Sequence, residues 1–290
     1  MSTSAISVTG LSRTQGTFRL DSIDLDLPTG LVMGVVGPNG AGKTTTIKSI
    51  LGMLAPESGS ITLFGGEAPG TAAANERLGV VLDQPFVSPD WKVSGVARRL
   101  AKFYSAWDAA AFAALLVRFG LDPEARVGTL SRGQGVKLST AVALAHHPQL
   151  LILDEPTSGL DPVSRADLID VLREFMVDET HSILFSTHIT TDLDTLADLI
   201  LVMDSGRVAY SGTLDGLQEE FAMVRGTEQL DPQTLARVMG LRRTGSRFEG
   251  LIRVGDTALF GPTTIIDAVS TDDVVVHLAR RTPERQEHAS

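Results

Sequence analysis

The sequence predicts an α/β protein, and three stretches predict it. Residues 31–36 are apolar without alternation, the pattern of a strand buried on both faces; a glycine-rich turn and an apolar-periodic stretch at 44–54 follow directly. Residues 150–154, Leu-Leu-Ile-Leu-Asp, repeat the buried-strand pattern and end on two carboxylates, Asp154 and Glu155. Between them, from 88 to 147, the texture is alanine-rich with helical spacing, so an all-helical insert interrupts the α/β run.

The elements follow in order. Residues 6–8 and 23–27 alternate apolar and polar, as half-buried strands do, and form an antiparallel hairpin layer ahead of the core strand. Pro28-Thr-Gly30 turns the chain into 31–36, and the helix after the glycine turn stops in the Pro56 and Gly59 region. Strands are expected at 61–64 and 78–82, the second broken by Gln84-Pro85, and the insert carries helices at 93–104, 108–119 and 133–146. After 150–154 come a helix at 164–177, a strand at 182–187, a short helix at 192–197, and a hairpin of 199–203 with 208–210 around Asp204-Ser-Gly206. Beyond 212 the pattern loosens into a connector at 226–232, a helix at 232–239, strands at 248–254 and 258–260, and a closing helix at 272–280. The division expected is therefore 1–212 plus a small α+β accessory region, 213–290. A chain cut near Gly226 is expected to keep the binding function of the first part.

Composition narrows the function classes. At 290 residues, 43% hydrophobic and 21% charged, the chain is a folded protein with room for one large and one small unit. A net charge of −10 argues against non-specific nucleic-acid binding and against docking on an anionic membrane surface, because both want a basic face. No stretch reaches the roughly 18–20 apolar residues of a spanning helix. Residues 1–10 lack a signal-peptide pattern and Cys is absent, so a cytosolic address is expected.

The turn after 31–36 reads Gly37-Pro-Asn39-Gly40-Ala41-Gly42-Lys43-Thr44-Thr45. Strand, glycine turn and helix start in that order make a phosphate cradle. The glycines let backbone N–H groups turn inward, the helix N-terminus adds a positive dipole end, Lys43 reaches the β- and γ-phosphates, and the Thr44 hydroxyl can ligate Mg2+. A phosphate loop alone leaves kinases, GTPases and motors open. The strand ending in Asp154 brings a carboxylate to the metal side of a nucleotide, and Glu155 is then placed to polarise an attacking water. Leu130-Ser131-Arg132-Gly133-Gln134 opens a helix after the insert; Ser131 can cap it while its free N–H groups face an anion.

At this point the residues resemble a family, the nucleotide-binding subunits of ABC transporters, over about residues 5–212 in unbroken motif order. Gly37 to Thr45 is similar to the Walker A loop, Gln84 to the Q-loop glutamine, Leu130 to Gln134 to the signature, and 150–155 to Walker B with its acid. Ser158-Gly-Leu-Asp161 resembles the D-loop, and His188 in Ser186-Thr-His188 the switch histidine. The resemblance implies a RecA-like core with an antiparallel layer and a helical subdomain at about 88–147. Two departures stand out. The place near Thr14-Gln-Gly16 has no aromatic residue to stack on adenine, leaving Phe18 or Arg13 as substitutes, and Arg132 replaces the commoner glycine. That replacement, with Phe103-Tyr-Ser-Ala-Trp-Asp108 and Phe119-Gly-Leu-Asp122, resembles the ABC-2 type, YtrB-like bacterial export cassettes; the tail from Ser270 to Leu278 resembles theirs too.

The resemblance implies a mechanism. ATP is held by Lys43 and the loop, Mg2+ by Thr44 and Gln84 with Asp154 acting through a water, while Glu155 handles the hydrolytic water and His188 contacts the γ-phosphate. Because the insert carries Ser131 far from Lys43 in the family's fold, Ser131, Gly133 and Gln134 would act in trans, closing a head-to-tail homo- or heterodimer. A separate integral-membrane permease subunit would dock near the surface 84–104, with Phe86, Val87 and Trp91 as dock residues; burial in the insert's own core is the alternative for Trp91. The competing class, a soluble ABC ATPase without a transporter, usually brings two fused cassettes, coiled coils or basic arms, none of which is present. A regulatory subunit that binds without hydrolysing would lack Glu155 or Ser131. Cargo stays open.

Overall fold

The computed structural model describes residues 3–82, 87–227 and 229–278. In chain order, β1 (Ser4–Gln15) and β2 (Phe18–Pro28) form a hairpin, β3 (Val32–Val36) leads into α1 (Lys43–Ile50), and β4 (Ser58–Leu63), α2 (Ala72–Glu76) and β5 (Leu78–Val81) follow. The insert supplies α3 (Val93–Leu100), α4 (Ala109–Arg118) and α5 (Arg132–Leu144). Then β6 (Leu150–Asp154), α6 (Pro162–Phe175), β7 (Ser182–Thr187), α7 (Thr190–Leu196), β8 (Leu199–Asp204) and β9 (Arg207–Thr213) resume the α/β alternation. The C-terminal region adds α8 (Leu214–Glu220), β10 (Phe221–Gly226), α9 (Pro232–Leu235), β11 (Met239–Thr244), β12 (Arg247–Arg253), β13 (Ile265–Ala268) and α10 (Thr271–Leu278).

The central sheet has the order β5-β6-β7-β3-β8-β9, parallel except for the β9 edge, which returns antiparallel to β8. Alternation along β3 splits its contacts between two cores. Val32 and Val36 face one cluster with Leu151, Leu153, Ile183 and Phe185, whereas Met33 and Val35 face the other with Ile6, Leu27, Ile47 and Ile152. Gly34 on this strand lies close under α7: a Cβ there would lie 2.2 Å from Leu193 Cδ2, so that buried side chain would have to move. The antiparallel layer, in the order β2-β1-β4, lies over the second cluster. The helical insert has a core of its own, from Val93, Phe112, Phe119, Leu138 and Val142, and is tied to α6 by the bidentate Arg118–Glu174 pair at 2.5 and 2.9 Å.

C-terminal β10 to β13 form an antiparallel sheet in the order β11-β12-β10-β13. Its inner residues Phe221, Met223, Met239 and Leu251, with Val274 and Leu278 of α10, are in the same buried cluster as Val36 and Phe185. Two expectations fail here, and three strands, β10, β11 and β13, are additions to the expected pattern. The strand expected at 258–260 lies at the end of a 3-10 turn, Val254–Leu259, none of whose residues is buried. The helix expected to reach 239 stops at Leu235, because Met239 pairs with Leu251 of β12. Strand β13 went unseen because its residues are exposed at the sheet edge, so no burial pattern marks them.

Candidate active site

Parallel pairing decides the site. Since β6, β7 and β3 are adjacent and run the same way, the residues that follow each of them emerge along one edge: Glu155 after β6, His188 after β7 and the glycine loop after β3. A crevice outside the carboxyl ends of such strands is where α/β sheets bind ligands. Here it is a cleft of about 600 Å³ lined by Asn39, Gly40, Ala41, Gly42, Lys43, Thr44, Thr45, Asp154, Glu155 and His188, with Gln15, Phe18, Arg132 and Ser158 at its sides.

The loop is shaped by backbone that side chains resist. Gly40 and Gly42 sit at φ 82° and 111°, and a Cβ on Gly42 would lie 2.6 Å from Leu20 Cδ2. No side chain caps α1, which leaves its first N–H groups facing the cleft. Lys43 is only 6% exposed, and its ammonium is held at 2.7 Å by the Gly37 carbonyl and at 3.3 Å by Glu155 Oε1. The other Glu155 oxygen, Oε2, lies 2.5 Å from His188 Nδ1. Cation, carboxylate and imidazole thus converge at the mouth of the loop.

Ser186 holds the two acids. Its hydroxyl donates to Asp154 Oδ1 at 2.6 Å and accepts from the Glu155 N–H at 3.0 Å, while Glu155 itself takes a left-handed backbone, φ 53°. The role of Ser186 is not legible in local sequence, because it depends on the β6–β7 register that sets it beside Asp154. Asp154 is buried at 4% exposure and Thr44 lies in the first turn of α1, so the side-chain donors that could hold a metal at this end are few, hard oxygens. Such a set suits Mg2+, which keeps waters and phosphate ligands rather than an all-protein cage. Gln84, the remaining expected donor, lies outside the described residues.

Other expected residues are placed apart from the cleft. Ser131 caps α5 in a capping box: Gln134 N–H donates to its Oγ at 3.2 Å and Ser131 N–H to Gln134 Oε1 at 2.9 Å. Among the described residues the Ser131 hydroxyl accepts the Gln134 N–H bond and makes no donated one. Neither it nor Gly133 nor Gln134 lines the cleft, although Arg132 beside them does. Asp161 caps α6, accepting from Val163 and Ser164 N–H at 3.0 and 3.1 Å; hydrogen bonds from the Ser164 side chain and backbone hold its carboxyl below the usual value. Of the two adenine substitutes, Phe18 lines the cleft, whereas Arg13 donates to the Ala55 carbonyl and to no cleft residue. Among dock residues Phe86 lies outside the described residues, while Val87 and Trp91 pack on the insert's core, Trp91 beneath the Arg99 guanidinium at 4.6 Å.

Topology and loop define a class, the phosphate-loop nucleotide-binding proteins. Residues 20–158 match the ABC transporter family. The chain is 38% identical over 224 residues, 74% of this chain and 67% of the relative, to the daunorubicin/doxorubicin resistance ATP-binding protein DrrA of Streptomyces peucetius. It is 35% identical over 206 residues to a Nod factor export ATP-binding protein I of Burkholderia orbicola strain AU 1054, covering 69% and 67% of the two chains. A solved ATP-binding subunit of an ABC transporter superposes with TM-score 0.67 at 27% identity, covering 74% of this chain and 92% of that one. The cbiO1 protein of Clostridium perfringens, part of the cbiONQ complex, gives 0.60 at 25%, covering 73% and 89%. The chain belongs to the ABC transporter ATP-binding proteins, which bind and hydrolyse ATP.

Proposed function

We propose that this subunit powers export through a separate membrane-embedded permease, using ATP to close a head-to-tail dimer and hydrolysis to open it. The observation that carries the hydrolytic half is the contact of Glu155 with both Lys43 and His188 at the loop mouth. Lys43, freed from the Gly37 carbonyl, binds the β- and γ-phosphates together with the N–H groups of Asn39 to Thr45. Glu155 takes the proton of the attacking water, and His188, within reach of the same carboxylate, orients it and contacts the γ-phosphate. Thr44, Gln84 and, through a water, Asp154 would hold Mg2+. That ion, when bound, neutralises charge growing on the phosphates. Phe18 supplies the adenine face.

The exposed Ser131 cap supports the dimer half. Its spare hydroxyl proton, Gly133 and the N-terminus of α5 can cover the γ-phosphate held by a second copy's Lys43, with Gln134 fixing the cap and Asp161 facing across the same interface. Binding energy thereby becomes closure energy. Among the described residues no helix is long and apolar enough to cross a membrane. The pathway is assigned to the membrane-embedded permease, and this subunit sits in the cytoplasm, held through it at the inner face of the cell membrane. Phe103, 73% exposed on the expected dock surface, is a better contact than half-buried Trp91. Export is supported by the names of the drug-resistance and Nod-factor relatives. The test is Glu155→Gln with ATP and Mg2+ in light scattering: dimer without turnover supports the reading, and full turnover overturns it.

A further inference from the structure

The most deeply buried carboxylate beside the site has no role in the scheme above. Asp192, on α7 one turn beyond His188, is 1% exposed, and both its oxygens are occupied. Oδ1 accepts from Arg165 Nε at 2.7 Å and from Arg165 Nη2 at 2.6 Å; Oδ2 accepts from Thr157 Oγ1 at 2.5 Å and Thr187 Oγ1 at 3.2 Å. Each donor sits at a place that matters. Thr157 is two residues after Glu155, Thr187 is the residue before His188, and Arg165 is on the first turn of the helix that Asp161 caps.

We propose that Asp192 and Arg165 form a positioning clamp for hydrolysis, a reading that rests on Glu155 and His188 being the hydrolytic pair. A carboxylate withdrawn from water and bound by four hydrogen bonds cannot rotate without leaving one of its donors unpaired. It therefore fixes the end of β6 against the end of β7, and with them the Glu155–His188 distance. Arg165 also donates to the Thr191 hydroxyl, so α6 and α7 move as one piece. Movement at Asp161, where α6 begins, is thereby passed to the hydrolytic pair. The Lys43 loop, on the neighbouring strand, makes no bond to this cluster among the described residues. The clamp acts on turnover and leaves nucleotide affinity alone.

The test is single-turnover ATP hydrolysis by the full chain in excess, with nucleotide affinity measured in parallel. Asp192→Asn replaces one acceptor with a donor facing donors, and is expected to slow hydrolysis by roughly 10- to 100-fold, the sensitivity expected for a misplaced catalytic group, with affinity unchanged within about twofold. Thr157→Val removes a single donor without stranding a charge, and carries the test if Asp192→Asn fails to fold; about 3- to 10-fold slowing is expected. In a His188→Ala background the same Asp192→Asn and Thr157→Val changes should cost less than about twofold more, because a group acting through the pair has lost what it positions. A merely structural role would lower the thermal midpoint and multiply with His188→Ala in full. Wild-type rates in Asp192→Asn or Thr157→Val, or full multiplication, overturn the clamp while Glu155→Gln and His188→Ala are still impaired. If those two hydrolyse normally, the site reading fails first.

Discussion

Glu155 carries two demands at once. Its side chain must reach both the buried Lys43 and His188, and its backbone must hold a left-handed conformation that a non-glycine residue adopts only under constraint. Ser186 supplies the constraint through its bonds to Asp154 and the Glu155 N–H. Ser186→Ala should therefore reduce kcat by about 10-fold while the KM for ATP moves little, measurable in steady-state kinetics. Lys43→Ala acts on the opposite quantity. Losing a charge that faces the phosphates should weaken nucleotide binding itself, by at least about 10-fold in a fluorescent-nucleotide titration.

At the scale of elements, α5 shows how one residue serves stability and function. The Ser131–Gln134 capping box satisfies N–H and side-chain groups within the chain, so Ser131→Ala should destabilise the insert by about 1 kcal/mol in chemical unfolding. Ser131→Arg tests the dimer. A bulky cation at the α5 start should prevent the ATP-driven monomer-to-dimer conversion of Glu155→Gln while leaving monomer nucleotide binding intact. A dimer that forms regardless would defeat closure through this helix.

For the whole molecule, the question is whether residues 213–290 stand alone. Leu217, Phe221, Met223 and Met239 share a core with β3 and β7, and α10 is bonded to α7 through Thr271–Asp194 at 2.7 Å and Thr190–Asp272 at 3.3 Å. Cutting at Gly226 strips β10 of both its neighbours and bares that core. The truncated chain should unfold at least about 5 °C lower than the full chain in a thermal scan, the scale of a loss of roughly 2 kcal/mol in a chain of this size. Acid acts on another join. His146, stacked on Tyr104 at 4.0 Å and bonded to the Leu78 carbonyl, has its pKa lowered by burial, so the folded chain binds that proton less readily than the unfolded one. Its stability contribution is complete above the ordinary value of about 6.5 and is lost as pH falls through the lower folded value. Urea midpoints should drop on acidification below about pH 6.5, and less so in His146→Gln.

Local chemistry alone determined the glycine loop, the Asp154–Glu155 strand end, the Ser131 cap and the helical insert, because each is written in contiguous residues with a fixed period or spacing. Those signals located Lys43 and Glu155 one by one, while His188 was marked only by the resemblance to the family's motif order. Tertiary structure decided what they do together. The strand order β6-β7-β3 draws residues 43, 155 and 188 to one edge, and register sets Ser186 against Asp154. Asp192 and Arg165 read as ordinary polar positions on two amphipathic helices until packing removes water from between them. The edge strand β13 escaped for the opposite reason: its partner is β10, some forty residues earlier, and its exposed side chains carry no pattern of burial. Pairing between distant segments is a property of the folded chain, and no window of sequence contains it.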